Sequence, residues 1–341
     1  MFSLLTLLFG CKDRSPKDWE PCTEELTTYT GPEESEFGFR MLANGSEVYI
    51  TAPSNCTSPL YKLSNGELTA QSWTTDACAR WGQEITLRDG SPVLFGPLSD
   101  TRWQNDVNNI ELTSTNIRRL GTLPDGRLVQ LFNNSVKIGG IEHPLPATSI
   151  DMARYDDDIA VLMRGIPTQV WTLNATFVFN ETTNLLSRIH PFGPALTGKP
   201  QWVLGGGPDL LYTDGDTLYT VELPDWSRLK QDMVNHPHIS IGYASKLMDL
   251  DNDGLLDWIV GAPTAGSGQN EGFPEQSGWV GWFEQRGRGW ELQKEWTGAS
   301  PFALFGWSVT IQQSDIQRSV LIGSPGASTV SQAACFQPVE R

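Results

Sequence analysis

Apolar and polar positions along this chain alternate in short bursts, and each burst follows a turn signal. Asn44-Gly45 precedes Val48-Tyr49-Ile50, Asn65-Gly66 precedes Leu68-Thr69, and Asp89-Gly90 precedes Val93-Leu94-Phe95. The pattern continues with Asp125-Gly126 before Leu128–Phe132, Asp157-Asp158 before Ile159–Met163, and Asp214-Gly215 before Thr217–Val221. Asn-Gly and Asp-Gly supply the positive φ that tight hairpins require, and β-branched or aromatic residues fill the runs between them. A helical period is hard to find anywhere, so the chain is predicted to be all-β.

One strand type recurs. It is a β-rich run ending in a small residue or a turn, near Ala52, Gly96, Phe132, Gly165, Gly205, Gly261 and Gly323. Trp202-Val203-Leu204-Gly205 reads as a worn copy of Trp258-Ile259-Val260-Gly261. Self-similarity over tens of residues is the signature of a repeat architecture. Seven such runs predict a β-propeller of seven blades, with six or eight as the alternatives.

The most specific segment is Asp249-Leu250-Asp251-Asn252-Asp253-Gly254-Leu255-Leu256-Asp257. Three alternating carboxylates, a glycine that permits a sharp turn and a closing Asp257 place four like charges around one point. Oxygen ligands in this number and flexibility suit Ca²⁺ better than Mg²⁺. The expected ligands are the side chains of Asp249, Asp251 and Asp253, the backbone carbonyl of Leu255, and Asp257. An EF-hand is excluded, because Val260 stands where the twelfth-position Glu belongs and an apolar strand follows where a helix is needed.

The flanks extend the argument. Ile241-Gly242-Tyr243-Ala244 precedes the loop and Gly261-Ala262-Pro263 follows it. Phe305-Gly306-Trp307 and Leu321-Ile322-Gly323-Ser324-Pro325 repeat the pattern, 64 residues after Gly242 and 62 after Gly261 respectively. Over about residues 240–330 the chain resembles the FG-GAP repeat family of integrin α-subunit propellers and bacterial surface proteins. The resemblance implies FG-GAP-type blades at the C-terminal end and an Asp loop that links two strands of a blade and binds Ca²⁺. The second copy, Gln312–Ser319, lacks the carboxylate series, so no metal is expected there.

Composition narrows the function. The chain has 341 residues, 33 Gly, 22 Pro and 13 Trp, which suits many short strands and turns. Its net charge of −16 excludes nucleic acid and a basic lipid-binding patch, since both need Lys/Arg clusters. The apolar start, Met1 to Gly10, is too short to span a bilayer and matches an export signal. Leu8-Phe9-Gly10-Cys11 resembles the bacterial lipobox, which implies a lipid on Cys11. Residues 1–10 then form a lipoprotein-type signal peptide, 11–36 a polar tether, and 37–341 the propeller.

With Cys11 acylated, four cysteines remain, an even number that suggests two disulfides in an exported protein. The expected pairs are Cys22 with Cys335, holding the first and last blades together, and Cys56 with Cys78, tying one blade's edge. Catalytic signatures are missing. His143, His190, His236 and His238 form no zinc motif, no Gly-x-Ser-x-Gly elbow occurs, and Gly205-Gly206-Gly207 lacks the Lys-Ser/Thr of a phosphate loop. Carboxylate pairs lie in polar turns, and the Trp residues fall on strand patterns, where packing between blades is expected.

The sequence therefore predicts a calcium-stabilised, lipid-anchored extracytoplasmic propeller at the outer membrane or cell surface, binding a protein or glycan as an adhesion or scaffold module. The alternatives are a secreted form, and a hydrolase or quinone-type dehydrogenase built on the same scaffold.

Overall fold

The computed structural model describes residues 22, 25–72, 81–88, 91–99, 102–105, 111–112, 117–123, 127–145, 148–155, 158–164, 169–171, 176–180, 185–186, 202–205, 209–214, 217–222, 228–231, 243–250, 257–266, 274–286, 289–314 and 317–335. These residues form 29 strands in seven antiparallel sheets and one short 3₁₀ turn, Pro325–Ala327.

Strand β1 (Thr27–Thr30) stands apart in sequence from its sheet. The first complete sheet is β2 to β5 (Met41–Asn44, Glu47–Thr51, Leu60–Ser64, Glu67–Ala70). The second is β6 to β9 (Glu84–Arg88, Ser91–Ser99, Arg102–Asn105, Glu111–Leu112), and the third is β10 to β13 (Ile117–Thr122, Leu128–Phe132, Ser135–Ile138, Ile141–Pro144). The fourth, β14 to β18, comprises Thr148–Tyr155, Asp158–Arg164, Gln169–Trp171, Thr176–Asn180 and Leu185–Leu186. The fifth is β19 to β22 (Trp202–Gly205, Asp209–Asp214, Thr217–Glu222, Arg228–Gln231), and the sixth is β23 to β26 (Ala244–Met248, Asp257–Ala262, Trp279–Arg286, Gly289–Thr297). The last sheet holds β27 (Ser308–Gln313), β28 (Arg318–Ser324), β29 (Thr329–Cys335) and, as its fourth strand, β1.

Local chemistry explains the hairpins. Ser64 pairs with Glu67 across the two-residue turn Asn65-Gly66, and both turn residues have positive φ, 52° and 78°. Such a turn matches the right-handed twist of the strands it joins. The long-range order is a ring. The first strand of each sheet touches the first strand of the next, in the series β2, β6, β10, β14, β19, β23 and β27, and β27 returns to β2. The fold is that of a β-propeller, with the first strands lining the axis.

Closure is made by the N-terminus. Thr27 to Thr30 pair residue by residue with Gln332 to Thr329, so β1 is the outer strand of the last sheet. This corrects the expected tether over residues 11–36, because Thr27–Thr30 belong to the propeller itself. Cys22 and half-buried Leu26 also pack into the apolar cluster between the last two sheets. The run Thr-Thr-Tyr-Thr is mostly exposed and reads as a polar linker, but Thr and Tyr favour the pleated backbone once a partner edge is supplied. Next to this pairing, Cys22 and Cys335 form a disulfide across a sequence separation of 313. An open propeller would leave two sheet edges unpaired; the strand and the crosslink together remove that liability.

A second correction concerns Trp202–Gly205. It is β19, the first strand of its sheet, whereas Trp258–Gly261 lies in a second strand, β24. Both are short apolar runs ended by glycine. Only pairing distinguishes them, Trp202 with Thr213 on one side alone, Ile259 with both Lys246 and Trp282.

The core lies between sheets. Ile259, Val280, Trp282, Trp296, Val309, Ile311, Val320 and Ile322 fill the space between the sixth and last sheets. Phe37, Met41, Val48, Ile50, Tyr61, Leu321 and Val330 fill the space between the last sheet and the first. At both junctions two glycines let backbones meet. A Cβ on Gly261 would lie 2.2 Å from the Gly306 carbonyl oxygen, and one on Gly323 would lie 2.2 Å from that of Gly38. Gly306 and Gly38 both have φ near +90°, so Phe305-Gly306 and Phe37-Gly38 are two copies of one device. The copy at Phe37-Gly38 escapes a reading that starts from the Asp loop, although its Phe-Gly-aromatic triplet repeats that of Phe305-Gly306-Trp307.

Candidate metal loop and the last inter-sheet junction

The Asp-rich segment joins β23 to β24, and Met248 pairs with Asp257 at its base. The chain leaves and re-enters the sheet side by side, so the eight residues between must double back. Asp249, Leu250 and Asp257 are described; Asp251, Asp253 and Leu255 lie outside the described residues. Among the described residues no group of three or more His, Cys, Asp or Glu is placed to hold a metal.

Asp257 is the pivot. It is 1% exposed, at the first position of β24. Its Oδ2 accepts the Leu250 backbone N–H at 2.5 Å, and its Oδ1 accepts the indole N–H of buried Trp282 at 2.9 Å. A buried carboxylate is tolerated only when its oxygens are paired. Here the two N–H donors pin the start of the segment to its end. An ionised carboxylate offers about four lone-pair sites, so accepting N–H donors does not by itself bar the group from ligating a cation. The convergence of the two ends and the charge of Asp249 and Asp257 fit a hard divalent ion.

The next sheet contributes a cation of its own. Arg318, the first residue of β28, donates from Nη1 to the Asp249 carbonyl and, at 2.8 Å, to the Leu250 carbonyl. The segment is therefore held from three directions: by its own strand pair, by Trp282 of β25, and by Arg318 of the last sheet. Arg318 and Trp282 were not expected as site residues. Trp282 was assigned to packing alone, yet its N–H serves Asp257. Arg318 had one signal, being the only cation in the second-copy loop Gln312–Ser319, whose one other charged residue is Asp315.

The turn equivalent to the Asp segment in the last sheet closes differently. Ser314 accepts the Gln317 N–H at its hydroxyl oxygen, and both the Ser314 N–H and the hydroxyl donate to the Gln317 carbonyl. A serine thus does locally what Asp257 does in the sheet before.

Of the cysteines, Cys22 and Cys335 are joined as described, and Cys56 is disulfide-bonded too. Its expected partner Cys78, and Cys11 with the whole of 1–10, lie outside the described residues. His143 sits on β13, the fourth strand of its sheet; His190, His236 and His238 are outside the described residues.

A row of side chains crosses from sheet to sheet where the first strands begin. The Tyr243 and Trp307 rings are 4.5 Å apart, Trp307 and Phe39 are 5.5 Å apart, and the Arg40 guanidinium lies 5.1 Å from the Phe39 ring. Arg40 then reaches Glu84 of β6 at 3.3 Å. Offset rings and a cation over a ring face each add about 0.5–1.5 kcal/mol, so this row reinforces the ring over four successive sheets.

Lys246 of β23 brings a further cation into the region. It projects on the face of Ala244 and Met248, which packs on the apolar cluster between the last two sheets, and no hydrogen bond or ion pair engages it among the described residues. Burial pushes its amine below the ordinary lysine range. The folded state therefore holds this proton less tightly than the unfolded chain, whose lysine keeps its proton up to about pH 10.5. Stability contributed by this group is lowest below the folded pKa and rises as pH climbs from that value toward 10.5. Lys246→Met is expected to stabilise the protein at pH 7 by about 1–2 kcal/mol and to flatten the alkaline limb of a plot of melting temperature against pH. A melting temperature unchanged at pH 7 would show that the amine already reaches water.

No family model and no curated protein matches the chain. Solved structures do. The WD40 β-propeller domain of Doa1 aligns with a TM-score of 0.58 at 13% identity, covering 92% of this chain and 96% of that one. A chain of the mitotic checkpoint complex aligns at 0.55 and 9% identity, covering 99% and 100%. BBS1N in complex with ARL6DN aligns at 0.59 and 10% identity, covering 94% and 97%. At such identities the likeness is one of fold, and the fold is a β-propeller.

Proposed function

We propose that this chain is a calcium-stabilised β-propeller acting as a binding or scaffold module outside the cytoplasm, with FG-GAP-type blades at its C-terminal end and a lipid anchor on Cys11. The observation that carries the reading is the Asp249–Asp257 segment, folded back between two adjacent strands with a buried carboxylate at its base. Asp249, Asp251, Asp253, the Leu255 carbonyl and Asp257 would hold Ca²⁺ there, and the ion would offset the repulsion among the carboxylates. Crosslinked cysteines support an oxidising, extracytoplasmic setting. Two of the structural relatives belong to protein complexes by their titles, which supports a role in binding; a ring of sheets presents many loops and needs no chemistry of its own to do so.

Calcium is tested by melting. Extracellular modules bind it with Kd on the order of 10⁻⁴–10⁻³ M, so millimolar Ca²⁺ raises the melting temperature of the wild type by several degrees over EDTA. Asp251→Ala abolishes that difference. Identical melting of the wild type in Ca²⁺ and EDTA would refute the metal reading.

A further inference from the structure

The face of the last sheet that meets the first sheet changes character along its length. At one level it is apolar, with Leu321 and Val330 in the cluster shared with Phe37 and Ile50. Toward the turns at Gly45-Ser46 and Asn65-Gly66 the sheets part, leaving a groove of about 440 Å³. Its wall is a ladder of neutral polar side chains on neighbouring strands. Thr27 of β1 pairs with Gln332 of β29, and Gln312 of β27 pairs with Ser319 of β28. Asn65 and the β2–β3 turn face them from the first sheet. The opposite face of the same sheet, at the level of Ile311, Val320 and Ala333, is apolar. Within the last sheet the polar ladder therefore belongs to the face toward the first sheet.

The amides are held in fixed orientations. The Tyr29 hydroxyl donates to Gln332 Oε1 at 2.8 Å, Gln332 Nε2 donates to Gln312 Oε1 at 3.1 Å, and Gln312 Nε2 donates to the Ser46 carbonyl at 2.6 Å. This relay sets which atom of each amide is O and which is N. It also leaves each amide nitrogen a second hydrogen for a ligand.

We propose that this groove is a binding site for a neutral polyhydroxylated ligand, a short uncharged oligosaccharide. Among the described residues its lining holds hydroxyls and amides, one carboxylate (Glu25) and no Lys or Arg, so they offer an anion no counter-charge. No aromatic or large aliphatic side chain lines it among the described residues, so they offer an apolar ligand no wall. Vicinal hydroxyls, which donate and accept at close spacing, match oriented amides of this kind. The volume falls in the range of roughly 300–1,000 Å³ usual for small-molecule sites. This deepens the binding-module reading by naming a ligand class, and it does not depend on calcium.

The test is ligand-observed saturation-transfer NMR on the full chain, in Ca²⁺ and again in EDTA, with maltotriose, laminaritriose and chitotriose as neutral probes and trigalacturonate as the anionic control. At least one neutral trisaccharide is expected to bind with Kd on the order of 1 mM, while trigalacturonate does not. Asn65→Gly, which removes an amide where positive φ already suits glycine, and Gln332→Met, which keeps the shape without the amide, should each weaken binding at least fivefold. No binding by any neutral probe, equal binding by both variants, or equal binding of trigalacturonate would overturn the proposal. A flat calcium titration would leave it standing, so the two readings fail separately.

Discussion

Serine at both Cys22 and Cys335 is expected to cost the protein about 4–5 kcal/mol. The crosslink spans a sequence separation of 313, and the chain-entropy model gives about 4.7 kcal/mol for a 100-residue loop and more for a longer one; strain and residual unfolded structure reduce the realised value. The effect falls on one place. Without the crosslink, β1 is held to β29 by a four-residue ladder whose side chains are mostly exposed. Strand β1 then frays, and the ring can open between the last sheet and the first. Guanidinium unfolding of the double variant, beside wild type with and without dithiothreitol, measures the cost. Limited proteolysis reports the site: new cleavage within residues 25–36 is expected before any elsewhere. A midpoint within error of the wild type would show that β1 and the inter-sheet packing close the ring unaided.

Asp257→Ala is expected to destabilise by about 3–5 kcal/mol in EDTA, with no metal involved. The substitution leaves the Leu250 N–H and the Trp282 indole N–H without an acceptor in a site from which water is excluded. Each stranded donor costs about 1–3 kcal/mol. Arg318 compounds the loss, because the carbonyls it holds belong to Asp249 and Leu250. The comparison with Asp251→Ala separates architecture from ion binding. Asp251→Ala should match wild type in EDTA and differ in Ca²⁺; Asp257→Ala should fall in both. If Asp257→Ala melted like wild type in EDTA, the buried carboxylate would be a metal ligand only, and the clamp would carry no weight.

Much of the architecture was legible along the chain. Period-two apolar runs separated by Asn-Gly and Asp-Gly are local signals, and strands and hairpins follow from local sterics and burial. Val48-Tyr49-Ile50, Leu128–Phe132 and Ile159–Met163 lie in the second strands of their sheets, as the recurring run implied. The pairing of Cys22 with Cys335 was also legible, because any closed ring must join its two ends.

What misled was local resemblance without a partner. Trp202–Gly205 and Trp258–Gly261 look alike as strings, and only the strand beside each decides whether it is first or second in its sheet. Thr27–Thr30 has little apolar pattern to announce it beyond Tyr29, which packs on the cluster between the last sheet and the first; its ladder to β29 is made of backbone hydrogen bonds, which are the same for every sequence. The fourth sheet shows the same limit from another side: its fifth strand, Leu185–Leu186, is too short to signal itself.

The candidate site divides in the same way. The spacing of Asp249, Asp251, Asp253 and Asp257 is what raises the expectation of a cation, because like charges so close in sequence cannot separate far. The partners of Asp257 are not readable there. Trp282 arrives from 25 residues away in sequence and Arg318 from the neighbouring sheet. The polar groove exists only because β1, β27, β28 and β29 present Thr27, Gln312, Ser319 and Gln332 on one face opposite the first sheet's turns. By itself the sequence determined strand content, turn positions, the acidic loop and the need to lock the ends. Ring order, the strand that closes the ring, the donors around the buried carboxylate and the groove were decided by tertiary structure. The reason is that each depends on which backbones become neighbours, and neighbours far apart in the chain are chosen by the packing of the whole ring.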